Sequence, residues 1–265
     1  SLGFDAKYNF GNIQNSAIEF LYDDESMPLD YQAREQNRSD LSGVNFNLGL
    51  IYTGNFKNNF QIHGSFAYSP SYNLTSKNSR TFASVVFNPN TQLDFPVNEI
   101  NVNLASLGLE TTELSMPSIT NFGFGISKPR KWFLGAEYTY LTTSVFSNEL
   151  ININNSDFEN SSKISVGGFY IPDYASFRKF WKRFVYRTGF YHEKTGLVIN
   201  GESINEFGIS FGLGIPAGGL FSNINTTVEF GKRGTTAQNL VEENFINFQL
   251  SLSLNDRWFI ERKYN

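Results

Sequence analysis

The chain alternates apolar and polar residues with a period of two over most of its length. Successive side chains of a β-strand point to opposite faces, so this pattern predicts strands with one apolar and one polar face. A helix would repeat every 3.6 residues, and the period of two argues against it throughout. The pattern is clearest in five segments: 2–10, 44–53, 132–140, 207–215 and 246–254.

Segments of this kind recur along the whole chain and predict about 12–14 strands, each near the length that a tilted membrane strand requires. Segment 174–182, which is rich in aromatic and basic residues, is the exception and is interpreted as a short amphipathic helix or an interfacial turn. The predicted strands are 2–10, 16–22, 43–54, 59–69, 80–88, 101–115, 118–128, 131–142, 163–171, 184–193, 203–215, 221–232 and 244–255.

The connections between these segments alternate in length. Short turns on one side and long loops on the other are typical of an outer-membrane barrel, in which the short turns are periplasmic. The absence of a linker or a break in composition predicts a single domain over residues 1–265. The tight turns are predicted at 55–58, 128–130 and 216–219, and the long polar stretches at 23–40, 88–99, 143–162 and 235–244.

Composition decides between a membrane barrel and a soluble sandwich. Aromatic residues make up 16% of the chain, and no run of about 18 apolar residues occurs, which excludes transmembrane helices. The polar faces carry Gly, Ser and Asn rather than the Lys and Glu of soluble sheets. Aromatic residues such as Tyr52, Tyr68 and Trp132 lie near strand ends, as an interfacial girdle would. We therefore expect an all-β, transmembrane, antiparallel up-and-down β-barrel in a bacterial outer membrane, with the lipid bilayer as its partner.

Several kinds of chemistry find no support in the sequence. The absence of cysteine excludes disulfides and thiolate sites, and a net charge of -4 with scattered basic residues gives no basic field for nucleic acid. No catalytic or zinc spacing occurs, so we expect no enzyme activity, no metal and no cofactor. Of the two histidines, His63 is interpreted as a hydrogen-bonded lumen residue, which is a more common role than ligation by an isolated histidine.

Two groups of residues are candidates for functional surfaces. One consists of polar residues that alternate onto the inward face: Asp5, Lys7, Gln61, His63, Glu137 and Arg187. The other consists of Phe177, Phe180 and Trp181, which are mixed with Arg178, Lys179, Lys182 and Arg183. This aromatic and basic mixture favours a membrane interface, with a partner-docking surface as the alternative.

Six segments between residue 42 and the end of the chain carry a family resemblance: 42–52 (SGVNFNLGLIY), 64–75 (GSFAYSPSYNLT), 116–125 (MPSITNFGFG), 131–138 (KWFLGAEY), 228–236 (VEFGKRGTT) and 254–259 (LNDRWF). Through these segments the chain resembles a divergent branch of the FadL-type long-chain fatty acid transporters. That resemblance implies a 14-stranded barrel, an N-terminal hatch in the lumen, and passage of hydrophobic compounds through a lateral opening in the wall. No Asn-Pro-Ala-like hatch segment precedes the first strand, so we expect the hatch to be reduced or its region to be missing.

Two functional hypotheses follow. The first is a channel or transporter for hydrophobic small molecules such as fatty acids, which predicts an apolar patch within the polar lumen. The second is a non-transporting accessory subunit of a larger outer-membrane complex for secretion, barrel assembly or nutrient uptake, with other outer-membrane proteins as partners. An outer-membrane enzyme is a third possibility, but the sequence contains no recognisable catalytic constellation.

Overall fold

The computed structural model describes residues 1–145, 147–148, 156–216 and 223–253, which form one antiparallel β-sheet. Within these residues, no helix is long and apolar enough to cross a membrane. The strands are β1 (Leu2–Glu19), β2 (Gln32–Asn55), β3 (Gln61–Ser69), β4 (Tyr72–Asn88), β5 (Leu93–Asn101), β6 (Thr111–Met116), β7 (Ile119–Lys128), β8 (Trp132–Leu141), β9 (Ser147–Asn148), β10 (Ser156–Phe158), β11 (Ser161–Tyr170), β12 (Val185–Ile199), β13 (Glu202–Pro216), β14 (Asn223–Gly234) and β15 (Glu242–Ser253).

The sheet is an up-and-down meander in which strands close in sequence lie side by side. From β1 the order runs through β2, β3, β7, β8, β11, β12, β13 and β14 to β15. Because β2 has 24 residues, its second half pairs with β3 and its first half with β4. β4 in turn pairs with β5 and β6. Among the described residues, no ladder joins β1 to β15.

The two faces of the sheet have opposite environments, as the alternation predicts. On β2, the apolar side chains of Phe46, Leu48 and Leu50 are 47–48% exposed, whereas Asn45 and Asn47 on the other face are half-buried. Such exposure of a whole apolar face is unfavourable in water and favourable in hydrocarbon. The protein is therefore an all-β, transmembrane, antiparallel up-and-down β-barrel, with its apolar face toward lipid.

One part of the sheet, which we name the wing, extends beyond the apolar band. It consists of residues 11–19 of β1, residues 32–42 of β2, and β4, β5, β6 and β9. On its outer face, Asp40 and Arg38 replace the Phe and Leu side chains found further along β2, and Lys77 lies opposite Asp40. These exposed charges lie outside the hydrocarbon layer, because a charge at the bilayer centre is costly. We name the rest of the sheet the wall, which consists of β3, β7, β8 and β10–β15 with the remaining parts of β1 and β2.

A polar network and a small apolar core hold the wing together. The buried side chain of Asn78 accepts hydrogen bonds from Ser39 (2.7 Å) and Ser76 (2.7 Å). It also donates to the hydroxyl of Thr112 (2.9 Å) and to the carbonyl of Leu109 (2.9 Å). Buried leucines surround this network: Leu74, Leu104 and Leu114. The wing is thus packed as a soluble β-structure is, with its core on the inward face.

The predicted strand boundaries are wrong in the wing and largely confirmed in the wall. The segment 2–10 and residues 16–19 of the segment 16–22 belong to one strand, β1, and the predicted loop 23–40 already enters β2 at Gln32. The predicted loop 88–99 contains most of β5, and the predicted strand 101–115 contains a 3₁₀ turn at Leu104–Leu107. Wing strands carry amide and charged residues that pair across the ladder in water, so they lack the apolar alternation on which the prediction relied.

Two of the three predicted short turns are confirmed, whereas the predicted long loops contain strand residues. Short turns join β2 to β3 and β7 to β8, as predicted at 55–58 and 128–130. The segment 174–182 forms a turn rather than an amphipathic helix, since its helical structure is limited to the start of a 3₁₀ turn at Phe180–Arg183. The predicted turn at 216–219 and the segment 254–259 lie outside the described residues, apart from Pro216.

Candidate functional site

A row of glycines crosses the polar face of the wall at one height. Gly125, Gly135, Gly167 and Gly189 lie directly opposite one another on β7, β8, β11 and β12. We name these four residues the glycine row. Because glycine has no side chain, the wall is thin along this row and leaves space on its polar face. His63 on β3 continues the row on one side and Ser210 on β13 on the other.

Aromatic rings cover part of the glycine row from the lumen side. The ring of Phe133 lies so close to Gly125 and Gly135 that an added Cβ would come within 2.7–2.8 Å of it. Phe133 stacks on Phe169 at a centroid distance of 6.0 Å, and its ring lies 5.8 Å from that of His63. The otherwise polar face therefore carries a small aromatic patch beside the glycine row.

A cavity of about 500 Å³ opens over the glycine row. Phe133 forms its apolar side, while Ser65, Ser165 and the carboxylate of Glu137 contribute polar groups. The lining thus combines an apolar surface with a few polar side chains, as sites for small molecules usually do. The described residues contain no cluster of His, Asp and Glu that could hold a metal ion.

A row of four charged residues, which we name the charge ladder, crosses the same face nearer the long-loop end. It consists of Lys163, Glu193, Glu206 and Arg233 on four neighbouring strands. Lys163 pairs with Glu193 at 2.8 Å, and Arg233 pairs with the buried carboxylate of Glu206. Glu193 and Glu206 face each other across the ladder. Lys163 neutralises Glu193, and Arg233 neutralises Glu206.

Tyr191 ties the two halves of the charge ladder together. Its hydroxyl donates to Glu206 at 2.6 Å, and the ammonium of Lys163 lies 4.4 Å from the centroid of its ring. The sequence analysis did not identify these residues as a group. Each of them is a large or charged residue on a strand face that otherwise carries Gly, Ser and Asn, and this difference can be seen in the sequence. Only the strand register shows that these residues are neighbours.

All six residues expected in the lumen lie on the polar face, but they do not form one site. Their neighbours are mostly local: Asp5 accepts from Asn47, Gln61 donates to Asn55, and Arg187 donates to Asn225. Lys7 lies 3.7 Å from Asp5, His63 bonds to Ser127 at 2.8 Å, and Glu137 lines the cavity. They lie on four different strands, β1, β3, β8 and β12. Their role in the lumen remains a prediction.

The aromatic and basic segment lies at the opposite end, in the connection between β11 and β12. Phe177 is fully exposed, and Phe180 and Trp181 are about half exposed. The carbonyl of Trp181 accepts from the hydroxyl of Tyr186 at 3.2 Å. This bond places the segment against the outer, lipid-facing side of β12.

The wing carries an exposed apolar patch on its inward face, and the sequence analysis did not identify it. Phe82 lies opposite Ile100, and Val86 opposite Phe95, in the ladder between β4 and β5. These four residues, which we name the wing patch, are 41–62% exposed. Among the described strands, β5 pairs only with β4, so its other edge is open beside the wing patch.

The opposite face of the wing tip, in contrast, is covered by the chain itself. The loop of residues 20–31 folds over it: Gln32 accepts from the amide of Leu21 and donates to the carbonyl of Leu29. Phe20 packs edge to face on Phe87 at 5.0 Å. The apolar residues of the outer face are therefore protected, and those of the wing patch are not.

Taken together, the lipid-facing band, the polar inward face with its cavity and the projecting wing define a transmembrane β-barrel of the outer-membrane type. The chain belongs to the BamG family, whose family model matches residues 1–265. Its fold is similar to that of the CymD monoaromatic hydrocarbon channel, with a TM-score of 0.52 and 13% sequence identity. This alignment covers 95% of the present chain and 67% of that channel. A search of curated proteins finds no match.

Proposed function

We propose that the protein is an accessory subunit of a larger complex in the bacterial outer membrane, and that its wing patch binds a protein partner of that complex. The observation that carries the proposal is the wing patch itself: four apolar side chains exposed in water, outside the lipid-facing band. A contiguous apolar surface of this kind in an aqueous region is typical of an interaction site.

The surroundings of the wing patch support binding of an extended segment of the partner. The open edge of β5 presents unpaired backbone donors and acceptors, and Phe95 and Ile100 lie on the face beside it. A strand added to this edge would continue the sheet, and its side chains would cover the patch. Arg34, paired with Asp94 (2.6 Å) and Glu99 (2.7 Å), fixes β5 to β2 and keeps this edge in place.

Membership of the BamG family supports barrel-assembly machinery as the complex, in preference to secretion or nutrient-uptake machinery. In this proposal the barrel anchors the wing at the membrane surface and needs no transport activity. The charge ladder is consistent with such a role, because fully paired charges inside the barrel stiffen its wall.

The test is native purification in mild detergent of the wild type and of a Phe95→Ser/Ile100→Ser variant. We expect the wild type to elute with stoichiometric partner proteins and the variant to elute alone. Both side chains are exposed, so the variant keeps its fold, which is checked by the shift in gel mobility on heating. A Thr75→Ser/Lys77→Ser variant on the outer face of the wing is the matched control. A wild-type protein that elutes as a monomer without partners would refute the proposal.

A second candidate function is passage of hydrophobic small molecules, which the aromatic patch inside the polar lumen favours. Phe133 and Phe169 beside the 500 Å³ cavity offer a surface for an apolar ligand. The FadL-type resemblance, which runs from residue 42 to the end of the chain, supports the same function. Lipid analysis of purified protein tests it: a Phe133→Ser variant should lose a co-purifying fatty-acid-like molecule that the wild type retains. A wild-type lumen without any such molecule would exclude this function.

A further inference from the structure

The two ends of the barrel differ in charge. The connections at the short-turn end, 56–60, 128–131 and 171–184, contain eight basic residues and one acidic residue, Asp173. The basic residues are Lys57, Lys128, Arg130, Lys131, Arg178, Lys179, Lys182 and Arg183. The loop 20–31 at the other end contains four acidic residues and no basic one. A net charge of -4 therefore conceals a strongly basic end.

None of these eight cations forms an ion pair within the part of the chain that the structure describes. Several lie over aromatic rings instead. Arg183 lies 5.0 Å from the ring centroid of Phe180, and Lys182 lies 5.9 Å from that of Trp181. The Nε of Arg183 is buried and has no hydrogen-bond partner among the described residues. The basic end thus has unneutralised charge that an anion could satisfy.

An apolar groove of about 590 Å³ begins beside this basic end. Most of its lining residues alternate onto the lipid-facing side, with Tyr170 and Tyr186 at the rim nearest to Trp181. Gly168 and Thr188 form a shallow floor, which Leu134, Val166, Phe190 and Ile209 surround. The groove is therefore a depression in the surface that contacts acyl chains.

We infer that this site binds an anionic phospholipid, with its phosphate at Lys182 and Arg183 and an acyl chain in the groove. The continuity between the cationic cluster and the lipid-facing groove is the reason to choose a lipid. An acidic protein partner would use the cations but would have no use for a groove that faces hydrocarbon. Aromatic rings beside basic residues at the end of membrane strands also fit the level of lipid headgroups.

The inference does not depend on the proposed function, because the wing patch and the basic end lie at opposite ends of the barrel. Two variants address the two halves of the site separately. Lys182→Gln/Arg183→Gln removes the headgroup charges, and Thr188→Phe fills the floor of the groove without changing any charge. Arg38→Gln/Lys77→Gln removes the same charge from the wing and serves as the matched control.

Native mass spectrometry of delipidated protein, incubated with phosphatidylglycerol or phosphatidylcholine in detergent, measures the binding. We expect the wild type to retain phosphatidylglycerol preferentially. Loss of two cations near a lipid surface should reduce that retention by roughly 30-fold. Thr188→Phe should reduce retention of both lipids, and the control should behave as the wild type does. Folding of each variant is checked by heat-dependent gel mobility.

Three results would overturn the inference. Equal retention of the two lipids by the wild type would show that the cations do not select a headgroup. An unchanged preference in Lys182→Gln/Arg183→Gln would place the lipid elsewhere. Displacement of the lipid by a soluble polyglutamate peptide, together with wild-type behaviour of Thr188→Phe, would assign the basic end to an acidic protein instead.

Discussion

The wing and the wall use the same alternation for opposite purposes. In the wall, the apolar side chains of Phe46 and Leu48 point outward into lipid, and small polar residues point inward. In the wing, a few residues earlier in β2, Asp40 points outward and Ser39 is buried inward beside Asn78. A single strand thus passes from a membrane arrangement to an aqueous one without a break in its ladder. The surroundings, and not the strand itself, decide which face must be apolar.

The same difference determines what stabilises each region. The wall has few buried side chains, and it depends on lipid contact and on continuous backbone ladders. The wing depends on its own buried leucines and on the hydrogen bonds of Asn78. Substitutions placed in matched positions of the two regions can therefore test the comparison directly.

The largest effect is expected from a charge on the outer face. Phe124→Arg in the wall places a guanidinium in the hydrocarbon layer and should lower the free energy of unfolding by about 2–4 kcal/mol. Thr75→Arg on the outer face of the wing stands in water and should cost less than ~0.5 kcal/mol. Reversible unfolding from lipid vesicles in guanidinium measures both. Equal losses in the two variants would show that the wing also lies in the membrane.

The next effect concerns the buried network of the wing. Asn78→Ala leaves the carbonyl of Leu109 and three hydroxyl groups without a partner and should cost about 2 kcal/mol, because buried unsatisfied groups are expensive. Hydrogen exchange should become faster in the wing while the wall stays protected. Asn45→Ala, which removes a single bond to Asn9 in the wall, is the control. Faster exchange throughout the wall would contradict the separate stabilisation of the two regions.

A smaller effect is expected from the charge ladder. Arg233→Gln leaves the buried carboxylate of Glu206 without its cation and should cost about 1 kcal/mol, since the guanidinium itself is largely exposed. Removal of the second charge in the double variant Arg233→Gln/Glu206→Gln should restore part of the loss. A double-mutant cycle from unfolding curves measures the coupling, and strict additivity would show that the pair contributes nothing.

The smallest effect is expected from Arg38→Gln on the outer face of the wing. The hydrogen bonds to Asp40 and the negative charge of that residue raise the pKa of Arg38, so its guanidinium stays charged at neutral pH. Both side chains are nevertheless exposed, and exposed pairs contribute little to stability. We expect an unchanged unfolding midpoint at physiological salt. A measurable loss would indicate that this face of the wing is covered in the membrane.

The sequence allowed the wall to be predicted, because lipid requires an apolar residue at every second position over the whole height of the membrane. The alternation of Phe207, Ile209 and Phe211 therefore identified a strand and its lipid-facing side at once. In the wing no such requirement acts. Gln36 and Arg38 are as suitable for a loop as for a strand, and only their partners on β1 and β4 make them a strand.

The functional surfaces were less predictable than the fold, because each depends on distant parts of the chain. Phe82 and Ile100 are unremarkable as isolated apolar residues and become a patch only through the ladder between β4 and β5. Lys163 and Arg233 likewise belong together only through strand register. By contrast, Phe177, Phe180 and Trp181 are near neighbours in sequence, which is why the aromatic and basic segment could be identified beforehand.

The glycine row has a mechanical consequence. Cross-strand side-chain pairs resist the bending of one strand against the next, and four adjacent strands have no such pair at this height. The row therefore lets four adjacent strands bend more sharply at this height, since glycines at defined positions introduce curvature into a sheet. A wall that bends there can change its local curvature without breaking a ladder, and so can fit its outline to a neighbour in the plane of the membrane.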